Sequence, residues 1–374
     1  MNRSLNGALK KTILVVFVAV LLSGLYCPAW PESGTTGDKK EFNVGYTVLD
    51  FPDGAGKNGK PLTVAVWYPT TAAPGPHNYG ESVNGIVAVD GAPHTAAGPY
   101  PLLVFSHGFG GSGLSAIFLN QKLAAQGWIV AAPDHRDKYS AVRIRTGRNE
   151  RLDRQGFLHE AEKITKSDAE HRDEYLYRID EMKAALDGML VSDKFGKLID
   201  SRRIAVGGHS LGGFTALGLC GTIEDRRDDR IKAVLLFSTG AGGYLFREGE
   251  LAWVKVPSLY IFGERELKQK RGKKTMEELS EKIYKNVAAP KYLLVLKGGN
   301  HFSFNNRFTD KPGSRFLGGT EEQFEVISRY SIAFLEKYVA GKMDHGRVLE
   351  QQDRLLTRYL RETSDRAPAK ERKP

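Results

Sequence analysis

The pentapeptide Gly208-His209-Ser210-Leu211-Gly212 has the spacing G-x-S-x-G. A serine in that pattern can act as a nucleophile when a sharp strand-to-helix turn presents it. The flanks fit such a turn: an apolar run, RIAVG, leads in and a helix-like run, GFTALGLC, leads out. Glycines at 208 and 212 remove side chains that would clash across it. A second glycine-rich corner, His107-Gly108-Phe109-Gly110-Gly111, ends the run LLVFS. Attack on a carbonyl develops negative charge, and backbone N–H groups aimed at it stabilise that charge by several kcal/mol. The expected donors are the N–H of Leu211, just after the nucleophile, and that of Phe109. A Walker-type phosphate loop is excluded, since G-x-x-x-x-G-K-[ST] does not occur.

A serine nucleophile needs a base, and the base needs a group to orient it. On a strand–turn–helix scaffold the partners follow the serine in the order acid, then histidine. Of nine histidines only His301 and His345 follow Ser210. His301 lies in GGNHFSF, after the apolar run KYLLVLKG, and is the expected general base; His345 sits in a charged linker. His107 and His209 belong to the two glycine corners and are expected to shape them, while His135, in PDHRD, reads as structural. Asp134, His135 and Asp137 in one turn are too little for a metal site, and no metal is expected. The acid is expected just past the run VPSLYIF, in Gly263-Glu264-Arg265-Glu266, with Glu266 preferred over Glu264. Its role is to hold the histidine tautomer and stabilise the imidazolium.

These residues need a frame that brings strand ends together. Short apolar runs recur along the chain: PLLVFSHG, WIVAAPD, RIAVGGHS, IKAVLLFST, VPSLYIFGE and KYLLVLKG. Helical stretches separate several of them, among them LSAIFLNQKLAAQG, EYLYRIDEMKAALDGML and KKTMEELSEKIYKNV. That alternation predicts an α/β fold with a mainly parallel sheet covered on both faces. Two further strands are expected in FNVGYTVLDF and LTVAVWYP, and a hairpin at GIVAVD. Residues 136–178 interrupt the theme with 11 basic and 9 acidic residues, read either as a solvated helical excursion or as a cap over the site. From Gly341 a charged helix (RVLEQQDRLLTRYL) and a polar tail are expected.

The composition sets outer bounds. With 374 residues, 41% hydrophobic and 26% charged, the chain can bury a large core. Two cysteines exclude a disulfide scaffold and a cysteine zinc site, and Cys220, in ALGLC, reads as a buried free thiol. The net charge of +10 comes from 54 Lys+Arg mixed with 44 Asp+Glu, and no nucleic-acid module is visible. Arg3, Lys10 and Lys11 precede the apolar run Thr12 to Leu22, and Ser23, Gly24, Cys27, Pro28 and Ala29 follow. This is the layout of a signal peptide cleaved after Ala29, so residues 1–29 are expected to direct export to the periplasm or outside, with an uncleaved anchor as the alternative. The domain plan is then 1–29 signal peptide, 41–340 catalytic domain with the 136–178 insertion, and 341–374 charged helix and tail.

At FSHGFGG (105–111), LAAQGWIVAAPDHRD (123–137), YRIDEMKAALD (177–187), GHSLGGFTAL (208–217) and GGNHFSF (298–304) the chain resembles the α/β-hydrolase superfamily, and within it the platelet-activating factor acetylhydrolase and dienelactone hydrolase-like branch. The resemblance implies an α/β-hydrolase fold and a serine hydrolase acting on esters. It implies Ser210 as nucleophile, His301 as base and the N–H groups of Phe109 and Leu211 as oxyanion donors, with no cofactor. In the acetylhydrolases the acid follows the strand after the nucleophile helix; here that strand is IKAVLLFST, ending Phe237, Ser238, Thr239 without a carboxylate. This departure moves the expected acid to 264–266. The expected partner is a small-molecule ester or lipid. A peptidase or thioesterase would use the same triad, and a non-catalytic binding protein would keep the fold alone. A membrane-surface lipid binder would use the basic stretch Lys138 to Arg154, which has six basic residues against two acids.

Overall fold

The computed structural model describes residues 41–52, 61–80, 82–149, 151–239, 245–271, 274–306 and 317–363. The expected signal peptide and the final polar tail lie outside these residues. One twisted sheet of eleven strands organises the chain. In chain order they are β1 (Asn43–Phe51), β2 (Leu62–Thr70), β3 (Gly75–Gly80), β4 (Val83–Val89), β5 (Tyr100–Ser106), β6 (Ile129–Pro133), β7 (Ile199–His209), β8 (Ile231–Phe237), β9 (Ser258–Gly263), β10 (Lys291–Leu296) and β11 (Leu356–Glu362). Their spatial order is β11-β10-β9-β8-β7-β5-β6-β2-β1-β4-β3. Neighbours from β6 through β10 pair in parallel. β2 joins this block antiparallel to β6.

The parallel strands are apolar on both faces because helices cover both. Side chains alternate across the sheet with period 2. Leu102, Val104, Ile204, Val206, Val234 and Leu236 pack on one side with α3 (Leu176–Val191), α4 (Leu211–Leu217) and α6 (Met276–Asn286). Leu103, Phe105, Ala205, Ala233 and Leu235 pack on the other with α1 (Ile117–Ala125) and α7 (Glu321–Tyr338). The other two α-helices among the described residues are α2 (Arg154–Lys166), inside the insertion, and the single turn α5 (Glu264–Leu267). Asp153 caps α2, its carboxylate accepting the Gly156 N–H at 3.0 Å. Thr275 and Thr320 open α6 and α7 with reciprocal capping boxes.

The pairing register places the functional corners side by side. Ser106 pairs with Gly208, His209 with Phe237, and Phe237 with Ile261. The chain therefore leaves β5, β7, β8 and β9 at one edge, the carboxyl edge where ligands meet open parallel sheets. The expected hairpin forms as β3–β4. The expected C-terminal helix does not form as read: only Met343–Glu350 is helical, as a 3-10 stretch. Leu356–Glu362 is a strand added antiparallel to β10. Its Leu356 packs into the core on the α1 and α7 side and its Leu360 against the core on the other side, while Thr357, Arg361 and Glu362 stay exposed.

Candidate active site

Ser210 sits on the turn between β7 and α4 at φ 54°, ψ −118°. A residue with a side chain is rarely held there. The close packing of the turn explains how it is held. A Cβ on Gly208 would run into the carbonyl of Gly212, and one on Gly212 into the carbonyl of Ser106. The Ser210 N–H donates to Phe237 O at 2.9 Å, which ties the turn to the next strand end. The Ser210 side chain makes no cap hydrogen bond to its own helix.

His301 follows β10 and is brought against this turn. Its carbonyl accepts from His209 Nε2 at 2.8 Å, and the two imidazole centroids are 4.9 Å apart. His209 is thereby fixed with its proton on Nε2. Burial, followed by the neighbouring His301, pushes its pKa down to about 3, so it stays neutral. Glu266 lies in α5, the turn after β9, and is fully buried. Its Oε1 accepts the Gly263 N–H at 2.7 Å, and its Oε2 lies 3.2 Å from His301 Nδ1. Glu264 is exposed and accepts the Gly298 N–H at 2.8 Å. Of the two carboxylates weighed from sequence, the fold brings Glu266 to the histidine and leaves Glu264 at the surface. Ser238, read from sequence as the place where a carboxylate is missing, lies between Glu266 and His301 and bonds to both.

The glycine corner after β5 faces Ser210 closely enough that a Cβ on Gly108 would lie 3.2 Å from Ser210 Cβ. The N–H groups of Phe109 and Leu211 enter none of the turn and loop hydrogen bonds among the described residues. Gly108–Gly113 also spells G-x-G-x-x-G, a dinucleotide-turn spacing. The Gly113 N–H is occupied by Asp134 at 2.8 Å, and α1 begins only at Ile117, so no helix N-terminus faces a phosphate there.

Behind this corner lies a buried polar network that the sequence reading missed. His107 donates from Nδ1 to Gly108 O at 2.7 Å and accepts the His135 N–H on Nε2 at 3.1 Å. His135 accepts from Ser106 Oγ at 2.7 Å and donates from Nδ1 to Glu181 at 2.9 Å. Burial drives both imidazoles well below the ordinary histidine pKa, so the His135–Glu181 contact is a hydrogen bond of a neutral ring. Arg178, fully buried, grips Asp137 through two bonds at 2.8 and 3.0 Å and donates to the His107 carbonyl. Burial alone would push the Asp137 carboxyl up; the Arg178 guanidinium outweighs it and holds the carboxyl below its usual value. The readable signal was in α3. Arg178 and Glu181 share a helical stripe with Met182, Ala185 and Met189, and a charge on an apolar stripe must be paired when buried.

The insertion reaches the site. Phe157 of α2 packs its ring 5.0 Å from that of Phe109, so this part covers the glycine corner. Its basic stretch is partly committed inward: Arg143 donates to the carbonyls of His135 and Asp137, and Arg145 pairs with Asp50. No group of three metal-ligating side chains was found among the described residues, and no described helix is long and apolar enough to cross a membrane.

Comparison with known proteins places this architecture. The sequence pattern of the family "Platelet-activating factor acetylhydrolase, isoform II" matches residues 79–194, which include the glycine corner and the insertion. The chain is 26% identical over 271 residues to platelet-activating factor acetylhydrolase of Cavia porcellus, covering 64% of this chain and 58% of that protein. It is 28% identical over 144 residues to Lipase 1 of Moraxella sp. (strain TA144), covering 37% of this chain and 40% of that protein. The chain thus matches less than two thirds of the length of either curated relative. Among solved structures, a ferulic acid esterase from Streptomyces cinnamoneus superimposes with a TM-score of 0.63 at 22% identity, covering 85% of this chain and 93% of that one. The fold is that of the α/β-hydrolases, and the resemblance to the acetylhydrolase branch holds.

Proposed function

We propose that the protein is a serine hydrolase of carboxylic esters, acting on short-chain or phospholipid-like acyl esters through an acyl-enzyme on Ser210. The observation that carries this reading is the buried Glu266 carboxylate 3.2 Å from Nδ1 of a histidine packed beside the Ser210 turn. Relatives described as an acetylhydrolase, a lipase and an esterase support the same chemistry. His301 takes the Ser210 proton at Nε2 as the hydroxyl attacks the ester carbonyl. The N–H groups of Phe109 and Leu211 hold the oxyanion. His301 returns the proton to the leaving alcohol, and water then releases the acyl group by the same route. The residues that recognise the ester are drawn from the carboxyl edge and the Phe157 side of the insertion. We keep export as part of this reading, on the strength of residues 1–29.

The test is hydrolysis of p-nitrophenyl esters of two to twelve carbons by the protein and its Ser210→Ala variant. The variant should lose at least about 10^3-fold in kcat, and the preferred chain length sizes the acyl pocket. Equal rates in both proteins would reject the esterase reading, and cleavage of peptide or thioester substrates alone would move the function to that class.

A further inference from the structure

Ser238 follows β8 at φ 49° with no exposed surface. Its Oγ lies 2.6 Å from His301 Nδ1 and hydrogen-bonds Glu266 Oε2. The direct contact from His301 Nδ1 to Glu266 Oε2 is longer, at 3.2 Å. A hydroxyl has one proton and two lone pairs, and an ionised carboxylate only accepts. Ser238 therefore donates to Glu266 and accepts the Nδ1–H of His301. The reverse direction would strip a buried carboxylate oxygen of its donor, which costs a desolvation penalty, and would place the imidazole proton on Nε2. The backbone bears on this too. A left-handed φ suits Gly or Asn better than Ser, and the Ser238 N–H is tied to Ile261 O at 2.9 Å.

We infer that Ser238 is a positioning residue for the hydrolysis. It seats the Nδ1–H tautomer of His301, and Glu266 acts on that histidine through the Ser238 hydroxyl. This rests on the Ser210–His301–Glu266 reading above. No bond to Ser238 breaks in the cycle. When His301 takes the Ser210 proton at Nε2, its Nδ1–H stays on the ring and points at Ser238 Oγ, while the Ser238 proton stays directed at Glu266. The negative charge of Glu266 then stabilises the imidazolium across one hydroxyl. The apparent gap left by the missing carboxylate after β8 is thus filled by a serine that passes on the hydrogen bonding of a carboxylate one strand further along the sheet.

The experiment compares Ser238→Gly and Ser238→Asn with Glu266→Gln and Ser210→Ala, measuring kcat and KM on the best p-nitrophenyl ester after circular dichroism and thermal melting. Glycine accepts φ 49° without strain, so its loss of activity belongs to the hydroxyl. Asparagine tolerates the same φ and offers an oxygen to Nδ1–H and an N–H to Glu266. Ser238→Gly should lower kcat about ten- to a hundredfold, the scale of one charge-assisted hydrogen bond. Its KM should hold within about twofold, and Ser238→Asn should regain most of the loss. A wild-type kcat in Ser238→Gly, beside inactive Ser210→Ala and Glu266→Gln, would overturn this role and leave the triad standing. A matched fall in kcat for Gly and Asn would also overturn it, marking the site as packing. An active Ser210→Ala would instead remove the reading on which the inference rests.

Discussion

His301 and His135 each turn Nδ1 to a glutamate, at 3.2 Å from Glu266 and 2.9 Å from Glu181, yet the two rings sit in unlike surroundings. His301 keeps 19% of its side-chain surface, beside the Ser210 turn at the open edge of the sheet. His135 keeps none, and Ser106 takes its second nitrogen. His301 Nε2 enters no hydrogen bond among the described residues, so that nitrogen is left to move a proton. A ring whose two nitrogens are both spent inside the protein can only hold neighbours in place. On the proposed reading the same pair of residue types serves chemistry in one corner and scaffolding in the other, and the difference lies in the second nitrogen, which Ser106 takes at His135. The scaffold also holds the proposed site, because Arg178 grips the His107 carbonyl at the base of the corner that carries Phe109.

Exchanging the two glutamates for glutamine should separate these roles most sharply. Glu266→Gln should cut kcat by about 10^3- to 10^4-fold with the fold intact, since the amide favours the wrong tautomer. Glu181→Gln should leave kcat within about tenfold and act on the melting temperature instead. Comparable kcat losses in the two variants would erase the distinction between the corners.

Arg178→Leu is the next largest effect, and it falls on stability. It leaves Asp137 buried without its partner, which should cost about 3–5 kcal/mol in urea unfolding. Adding Asp137→Leu should recover part of that cost. A loss under about 1 kcal/mol would mean that the network is solvated rather than a scaffold.

Acid should unfold the protein through the buried histidines. His209 is held at about 3, and His107 and His135 well below their ordinary value, in each case first by burial. In each the folded state binds fewer protons than the unfolded chain, so stability is present above about pH 6.5 and is lost as pH falls below it, by about 1.4 kcal/mol per pH unit per histidine. Asp134, raised to about 6 by burial, and Glu181, also raised, work in the opposite sense between their unfolded and folded values. Three groups against two leave a net fall in the denaturant midpoint from pH 7 to 5. A His107→Asn variant should flatten that slope, and a midpoint independent of pH would reject the neutral, buried state assigned to these rings.

Much of the carboxyl edge was legible because strand-to-helix corners carry local marks. Gly208 and Gly212 announce a turn with no room for side chains, and His301 stands after an apolar run in a glycine loop. The sequence favours Glu266 over Glu264 in the stretch past Gly263, and α5 supplies the physical reason. Glu266, three residues past Gly263, turns inward and caps the helix start, while Glu264 stays at the surface. Ser238 could not be recognised in this way, because a serine ending a strand has no distinctive neighbourhood and its meaning depends on two residues 28 and 63 positions away. The segment Leu356–Glu362 was misread as helix for a related reason: whether an amphipathic stretch coils or adds to a sheet depends on whether an unpaired edge, here β10, lies beside it.

The order of strands, helices and glycine corners follows from local patterns of apolar residues and backbone freedom, which act over a few residues and can be read along the chain. The alignment of Ser106, His209, Phe237 and Gly263 along one edge, the burial of Arg178 and Glu181, and the relay through Ser238 follow from sheet register and desolvation. Those effects act between residues far apart in the chain, and they take their sign from what each side chain meets once water has been excluded.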